Sequence, residues 1–258
     1  MKIGIIGKGA IGRYVAAQLQ ARGGGPHVLL TRSGGDAGQP GMAQATSVGE
    51  LPGDIALMVD CAGHAALAEH GPAILDRGID LITVSVGALA DPALATRLKD
   101  AAARGGAQLH LASGAIGALD SLSAARVGGL EEVIYTGRKP PQGWIGSPAE
   151  ENLDLRALTT AQTHFEGSAR DAATAYPKNA NVAAAVALAG AGLDATQVRL
   201  VADPGVTANI HEVRASGAFG SFEFRIAGNA LPDNPRSSAL AAMSVIAAID
   251  RRLRAITT

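Results

Sequence analysis

The sequence predicts an α/β chain, an N-terminal doubly wound parallel sheet of the Rossmann type followed by an α+β region with a mostly antiparallel sheet. Three observations predict it. A short apolar run at residues 2–6 leads straight into Gly7-x-Gly9-x-x-Gly12, and a helical pattern of Ile11, Val15 and Leu19 follows. Apolar runs and helical segments then alternate over the first 112 residues, the pattern of parallel βαβ units. Beyond Ser113 the alternation ends, and strands of alternating polarity follow one another with a turn glycine, Gly217, between two of them. The expected boundaries are 1–112 together with 236–258 for the first domain, and 113–235 for the second.

In chain order, the first strand and glycine loop have a chemical rationale. Gly7 allows the tight turn, Gly9 removes a side chain where a pyrophosphate approaches the backbone, and Gly12 lets the helix lie close to the strand. Ala10 and Ile11 open the helix, whose N–H groups and positive dipole end suit phosphates. The second strand is expected at 28–31. Where an acidic residue usually ends this strand and holds ribose hydroxyls, the chain reads Thr31-Arg32-Ser33. Arg32, with the hydroxyls of Thr31 and Ser33, is either a receiver for a 2′-phosphate or a solvated loop residue. Residues 33–52, rich in glycine and polar types, are expected to cover the sheet edge loosely. A strand at 54–60 ends in the small-residue turn Cys61-Ala-Gly-His64, placed where a dinucleotide lies outside the carboxyl ends of the strands. Cys61 reads as a small buried filler and His64 as an exposed helix start. A long apolar strand at 79–86, buried on both faces, runs into Ser85-Val-Gly-Ala-Leu-Ala-Asp91. A helix at 92–104 and a strand at 107–112 complete the alternation. The candidate dinucleotide-binding residues are therefore Gly7, Gly9, Ala10, Ile11, Gly12, Thr31, Arg32, Cys61, Ala62, Ser85 and Val86.

In the second region, the loop Ser113-Gly-Ala-Ile-Gly-Ala-Leu-Asp120 starts a helix. A strand is expected at 131–136, then a basic turn, Gly137-Arg-Lys-Pro-Pro141. A helix around 150–158, a strand at 162–166, an alanine-rich helix after Asn181, and strands at 198–201, 209–215 and 219–226 follow. A long helix at 237–256 returns to the first domain.

Composition narrows the function classes. At 258 residues and 47% hydrophobic content a packed core is easily supplied. The net charge of −1, without a basic run, excludes an electrostatic footprint for nucleic acid. One cysteine excludes an internal disulfide, and six scattered histidines show no metal-ligand spacing. The longest alanine-rich stretch is too short and glycine-broken to span a bilayer. A cytoplasmic, soluble protein without membrane or nucleic-acid partners is expected.

A dinucleotide domain followed by an antiparallel sheet domain predicts a cleft between them, lined by polar residues of the second half. Gly167-Ser-Ala-Arg-Asp171 and Tyr176-Pro-Lys-Asn-Ala-Asn181 are dense in groups that hold carboxylates. Ser168, Arg170, Lys178 and Asn179 are the substrate-binding candidates, with Arg138 and Lys139 as further cations. Each also has a plain structural reading as a surface charge or helix cap. His211 lies on a strand, sharing a face with Asn209 and Val213, where it is either an acid–base group or a structural histidine.

Gly7-x-Gly9-x-x-Gly12, Ser85-Val-Gly-Ala-Leu-Ala-Asp91, Ser113-Gly-Ala-Ile-Gly-Ala-Leu-Asp120, Arg138-Lys-Pro-Pro141, Phe165-Glu-Gly-Ser-Ala-Arg170, Pro177-Lys-Asn-Ala-Asn-Val182, Ala202-Asp-Pro204, Asn209-Ile-His-Glu212 and Asn234-Pro235 together resemble the L-aspartate dehydrogenase family. The resemblance runs from Lys2 to the C-terminal helix. It implies oxidation of L-aspartate with NAD or NADP to iminosuccinate, then oxaloacetate and ammonia, with iminosuccinate feeding NAD biosynthesis in some organisms. It implies that Ala115 and Asn181 contact the cofactor and that His211 is catalytic. A homodimer and a two-domain arrangement like that of dihydrodipicolinate reductase are also implied, with 1–112 and 236–258 binding the dinucleotide and 113–235 serving substrate binding and dimerisation. Thr31-Arg32-Ser33 departs from a strict NAD pattern. The alternatives are a dihydrodipicolinate reductase-like or homoserine dehydrogenase-like enzyme, and a non-enzymatic dinucleotide sensor.

Overall fold

The computed structural model describes residues 1–32, 42–177, 179–231 and 234–256, without the side chains of Pro235 and Arg236. The chain divides into two compact units, Met1–Ala112 with Ala241–Thr258, and Ser113–Leu240.

The first unit alternates strand and helix: β1 (Lys2–Ile6), α1 (Ala10–Ala21), β2 (Val28–Leu30), β3 (Ala43–Ala45), β4 (Ile55–Asp60), α2 (His64–Asp76), β5 (Asp80–Thr83), α3 (Pro92–Gly105) and β6 (Leu109–Leu111). The six strands form one parallel sheet in the order β3-β2-β1-β4-β5-β6, the doubly wound arrangement expected. Strand alternation sends successive side chains to opposite faces, and each face has its own core. Ile6, Leu30, Met58 and Leu81 pack with Leu67 and Ile74 of α2 and Leu94 and Leu98 of α3. Ile3, Ile5, Leu57, Val59 and Ile82 pack with Val15 and Leu19 of α1 and with Val245 and Ile249 of the C-terminal helix.

That helix is also tied by charge. Arg252 donates to Asp80 at 2.8 Å, and Arg22 of the first unit donates to Asp250 at 3.0 Å. α3 illustrates how local sequence sets an element's ends. Asp91 accepts from the Ala93 amide, Pro92 takes the first turn, where its missing N–H costs nothing, and Gly106 closes the helix in the left-handed region.

Three local expectations are corrected here. The edge segment contains a strand, β3, which pairs with β2 as an extra parallel rung. The apolar run at 79–86 gives only four strand residues, and Val86–Ala90 turns as a 3-10 helix. His64 opens α2 as expected but is half-buried rather than exposed.

The second unit contains α4 (Leu119–Gly128), β7 (Leu130–Lys139), α5 (Ala149–Asn152), β8 (Gln162–Ser168), α6 (Ala169–Ala175), α7 (Asn181–Ala189), β9 (Gln197–Ala202), β10 (Asn209–Gly217), β11 (Gly220–Gly228), β12 (Ala230–Leu231) and β13 (Asn234–Ser238), and α8 (Ala239–Leu253) follows. Its main sheet has the order β11-β10-β7-β9-β8. Only β7 and β9 pair in parallel, so the sheet is mixed and mostly antiparallel. One face buries Val133, Tyr135, Val198, Leu200, Val213 and Ala215. The other carries cross-strand ion pairs, Arg214 with Glu223, Arg225 with Glu212 and Arg199 with Glu166.

Two corrections matter for the site. The helix expected around 150–158 is a single turn, Ala149–Asn152. More importantly, the basic segment Gly137-Arg138-Lys139 is strand and not turn, because β7 continues through it, paired with β9 to Ala202 and with β10 to Ile210.

The burial of α8 carries a stability prediction. Ile249 is fully buried in the first unit's core, whereas Met243 is about half exposed on the same helix. Ile249→Ala should cost the first unit about 2–5 kcal/mol, and Met243→Ala less than about 0.5 kcal/mol. Urea denaturation of both variants checks this, and equal small losses would mean that α8 does not complete the core.

Candidate active site

The candidate cofactor region is the loop between β1 and α1, and its glycines are explained by what a side chain would meet. Gly7 has φ +88°, and a Cβ there would lie 2.7 Å from Ala62 Cβ. A Cβ on Gly12 would lie 2.3 Å from the Gly7 carbonyl oxygen, so α1 rests directly on the loop backbone. Gly9 is different, since a Cβ there would meet nothing nearer than the Cys61 carbonyl oxygen at 4.0 Å. Protein packing does not require this glycine, and its absence of a side chain leaves the backbone open to close approach by a pyrophosphate. Gly9 is the N-cap of α1 in extended conformation, and no side chain caps the helix. The amides of Ala10, Ile11 and Gly12 begin a helix whose dipole end suits an anion. These residues fit a dinucleotide.

The neighbouring loops are held by a residue that the sequence reading passed over. Asp60, the last residue of β4, has no exposed surface. Its Oδ2 accepts from Thr83 Oγ1 and from Ser85 Oγ, both at 2.7 Å, and its Oδ1 accepts from the Ala62 amide at 2.9 Å. Burial raises its pKa, and the three hydrogen bonds work against that rise. The signal in the sequence was an acid closing an apolar strand, with Thr83 and Ser85 closing the next one. Cys61 is half-buried, and burial pushes its thiol upwards, so it stays protonated and is no nucleophile. Val86 and Ser85 are buried. Thr31 donates its amide to Ala45, and Arg32 is exposed. Ser33, part of the proposed 2′-phosphate contact, lies outside the described residues.

A second cluster of candidate groups lies in the second unit. His211 is 4% exposed, and its Nδ1 is 2.7 Å from the hydroxyl of Tyr135, which is equally buried. In the β10–β7 register His211 faces Gly137, so Tyr135, Gly137 and Lys139 alternate on the same face as His211. A side chain at Gly137 would strike the Tyr135 hydroxyl, 2.8 Å from the Cβ position. Burial, and after it the charge of Lys139, pushes the His211 pKa down to about 4. Burial pushes Tyr135 upwards, so its phenol keeps its proton. A phenol both donates and accepts, so this bond orients the imidazole in either tautomer.

Lys139 extends from the end of β7. Its Nζ donates to Asn179 Oδ1 at 2.8 Å and sits 4.7 Å from the centre of the Trp144 ring. Burial lowers its pKa to about 8. Trp144 is fully buried, donates to the Val201 carbonyl and meets His164 edge-on at 4.4 Å. His164 Nδ1 is 3.1 Å from the Tyr176 hydroxyl, and burial followed by the Lys139 charge lowers its pKa to about 4.

The remaining candidates divide. Asn179 joins the cluster through Lys139. Ser168 caps α6, its Oγ accepting from the Asp171 amide at 3.1 Å and donating to the Asp171 carboxylate at 2.6 Å. Arg170 is held in a two-pronged pair with Asp194, at 2.6 and 2.9 Å. Arg138 pairs with Asp203 at 2.7 Å. Ser168, Arg170 and Arg138 thus have the structural roles that the plain reading allowed. Asn181 starts α7, and Ala115 is buried in the loop before α4. Lys178 lies outside the described residues. Among the described residues no group of acidic, histidine and cysteine side chains could hold a metal ion.

A doubly wound sheet with a phosphate-binding loop, joined to a mixed sheet with a buried histidine, defines a nicotinamide dinucleotide-dependent oxidoreductase. Residues 7–112 match the family model described as homoserine dehydrogenase, NAD binding domain, and residues 120–252 match that described as aspartate dehydrogenase, C-terminal. L-aspartate dehydrogenase of Ruegeria pomeroyi is 56% identical, over 99% of this chain and 94% of that protein. The enzyme of the same name from Cupriavidus necator is 50% identical, over 100% of this chain and 99% of that protein. The crystal structure of aspartate dehydrogenase from Thermotoga maritima superposes with a TM-score of 0.79 at 29% identity, covering 100% of this chain and 99% of that one. The chain belongs to the L-aspartate dehydrogenase family.

The glycine geometry separates ligand binding from folding. Gly9→Ala should leave the unfolding free energy within about 1 kcal/mol of the parent and weaken dinucleotide binding at least about tenfold, since the Cβ occupies the approach of the pyrophosphate. Gly12→Ala should lower both. Fluorescence titration with NAD(P)H beside urea denaturation distinguishes them, and a Gly9→Ala protein with intact affinity would show that the loop does not cradle a pyrophosphate.

Proposed function

We propose that this chain oxidises L-aspartate with NAD⁺ or NADP⁺, producing iminosuccinate that water converts to oxaloacetate and ammonia. The observation that carries this reading is the identity of 50–56% with L-aspartate dehydrogenases over nearly the full length of both chains. A homodimer belongs to the same reading, on the family resemblance. The homoserine dehydrogenase match covers only the nucleotide-binding part and says nothing about substrate.

The nicotinamide supplies the hydride acceptor for the substrate Cα. The glycine loop, with Ala10 and Ile11, holds the pyrophosphate, and the loops carrying Cys61, Ala62, Ser85 and Val86 complete the cofactor's bed, tied together by Asp60. Ala115 and Asn181 are assigned to the cofactor on the resemblance.

His211 is the acid–base residue. With its pKa near 4 it is neutral at physiological pH and can accept a proton. Two protons must leave as aspartate becomes oxaloacetate: one from the substrate ammonium before hydride departs, one from the water that adds to the imine. A neutral imidazole fixed by Tyr135 serves both. The low pKa makes free His211 a weak base. A dicarboxylate substrate supplies negative charge that strengthens it, as does any partner that neutralises Lys139.

NAD(P)H formation from L-aspartate, and its reversal with oxaloacetate and ammonia, is the expected result in an absorbance assay that sets aspartate beside glutamate, alanine and homoserine. His211→Ala and His211→Asn should each lower kcat by about a hundred- to ten-thousand-fold, with cofactor affinity unchanged. A kcat within a few-fold of the parent would return His211 to a structural role, and turnover of homoserine without aspartate would overturn the substrate assignment.

Cofactor preference is the second expectation. The usual acid at the end of β2 is replaced by Thr31-Arg32, so NADP⁺ should be used at least as well as NAD⁺. Arg32→Ala should raise the KM for NADP⁺ by about tenfold and leave that for NAD⁺ unchanged. Equal effects on the two would remove Arg32 from the 2′-phosphate.

A further inference from the structure

The five-stranded sheet carries five cations on its strands. Four have carboxylate partners: Arg138 with Asp203, Arg199 with Glu166, Arg214 with Glu223 and Arg225 with Glu212. The fifth is Lys139, and among the described residues no carboxylate lies within ion-pair distance of it. It is also the cation that shares a face with His211. A half-buried ammonium needs compensation, and among the described residues Lys139 receives an amide oxygen, from Asn179, and the face of Trp144.

A lysine ammonium has three donors. One is taken by Asn179, and the contact with Trp144 leaves the rest able to meet an anion. The stem is held as well, since Gly143 lies against it so closely that a Cβ there would come within 3.2 Å of Lys139 Cβ. The head is thus positioned by two contacts that do not cancel its charge.

We propose that Lys139 is the cation that receives a carboxylate of a dicarboxylic substrate, and so the residue that selects a dicarboxylic over a monocarboxylic amino acid. This rests on the reading of the reaction given above. Burial first, and the Lys139 charge after it, depress His211 and His164, and a carboxylate on Lys139 relieves the second contribution when substrate is present. Lys139 is a substrate-binding residue and His211 the proton carrier.

The test uses the parent protein, Lys139→Met and Lys139→Arg, saturated with NAD(P)⁺. L-aspartate and L-alanine are the substrates, and succinate, a dicarboxylate without the amine, is the competing probe. Lys139→Met should raise the KM for L-aspartate and the Ki for succinate together, by about ten- to a hundredfold. It should lower the ratio of kcat/KM for L-aspartate to that for L-alanine by at least about tenfold, with cofactor affinity unchanged. Lys139→Arg should recover part of the loss. KM and Ki that stay within threefold in Lys139→Met overturn the proposal and leave Lys139 as a packing residue under Trp144. If Lys139→Met does not fold, Lys139→Gln is read by the same two criteria. If the parent makes no NAD(P)H from L-aspartate, the reaction assignment fails; calorimetric titration of succinate into parent and variant then decides Lys139 separately, with equal affinities overturning it.

Discussion

A carboxylate with no exposed surface, Asp60, organises the end of the parallel sheet on which dinucleotide binding depends. It accepts from a hydroxyl on β5, a hydroxyl in the turn after β5 and an amide in the turn after β4. Buried carboxylates are costly unless hydrogen-bonded, and two of these three donors come from the turns that follow β4 and β5. The residue whose amide Asp60 holds, Ala62, is also the one whose Cβ excludes a side chain from Gly7. Ala62 thus joins Asp60 on one side to the glycine loop on the other.

The second unit uses burial differently. Its sheet has an outer face of paired charges and an inner face that is largely apolar, into which Tyr135, His211 and Lys139 project from two neighbouring strands. Removing water lowers the basicity of both the imidazole and the ammonium, and their mutual repulsion adds to this for the imidazole. The protein therefore holds a neutral base beside a cation, two groups that suit a substrate bringing both a proton to lose and negative charge to bind. Tyr135 contributes no charge. Its phenol keeps its proton and fixes the direction of the ring.

The sequence and structure diverge where local pattern and tertiary pairing compete. Gly137-Arg138-Lys139-Pro140-Pro141 reads as a turn, since glycine and two prolines are turn residues. In the structure β10 and β9 lie on either side of β7, and their hydrogen bonds extend the strand to Lys139. Gly137 then marks a place where Tyr135 needs room, not a turn. The same competition shortened β5: Thr83 and Ser85 have their hydroxyls on or next to Asp60, which draws the backbone into a turn despite the apolar run that surrounds them. Ser168 and Arg170, attractive as anion ligands by composition, found partners three residues and twenty-four residues away.

The sequence by itself determined the two-part architecture, the glycine loop and the helix over it, the strand that carries His211 and the face that His211 shares with Val213. These features rest on periodicity and on glycine sterics, which act over a few residues and are therefore visible in one chain of letters. Only the tertiary structure decided that Asp60 is a buried hub, that Tyr135 holds His211, and that, among the described residues, Lys139 stands without a carboxylate partner. Each depends on which residue of a distant strand lies opposite, a matter of register between segments up to 76 residues apart, and of how much water the packed helices exclude. Neither quantity is a property of any local stretch of sequence.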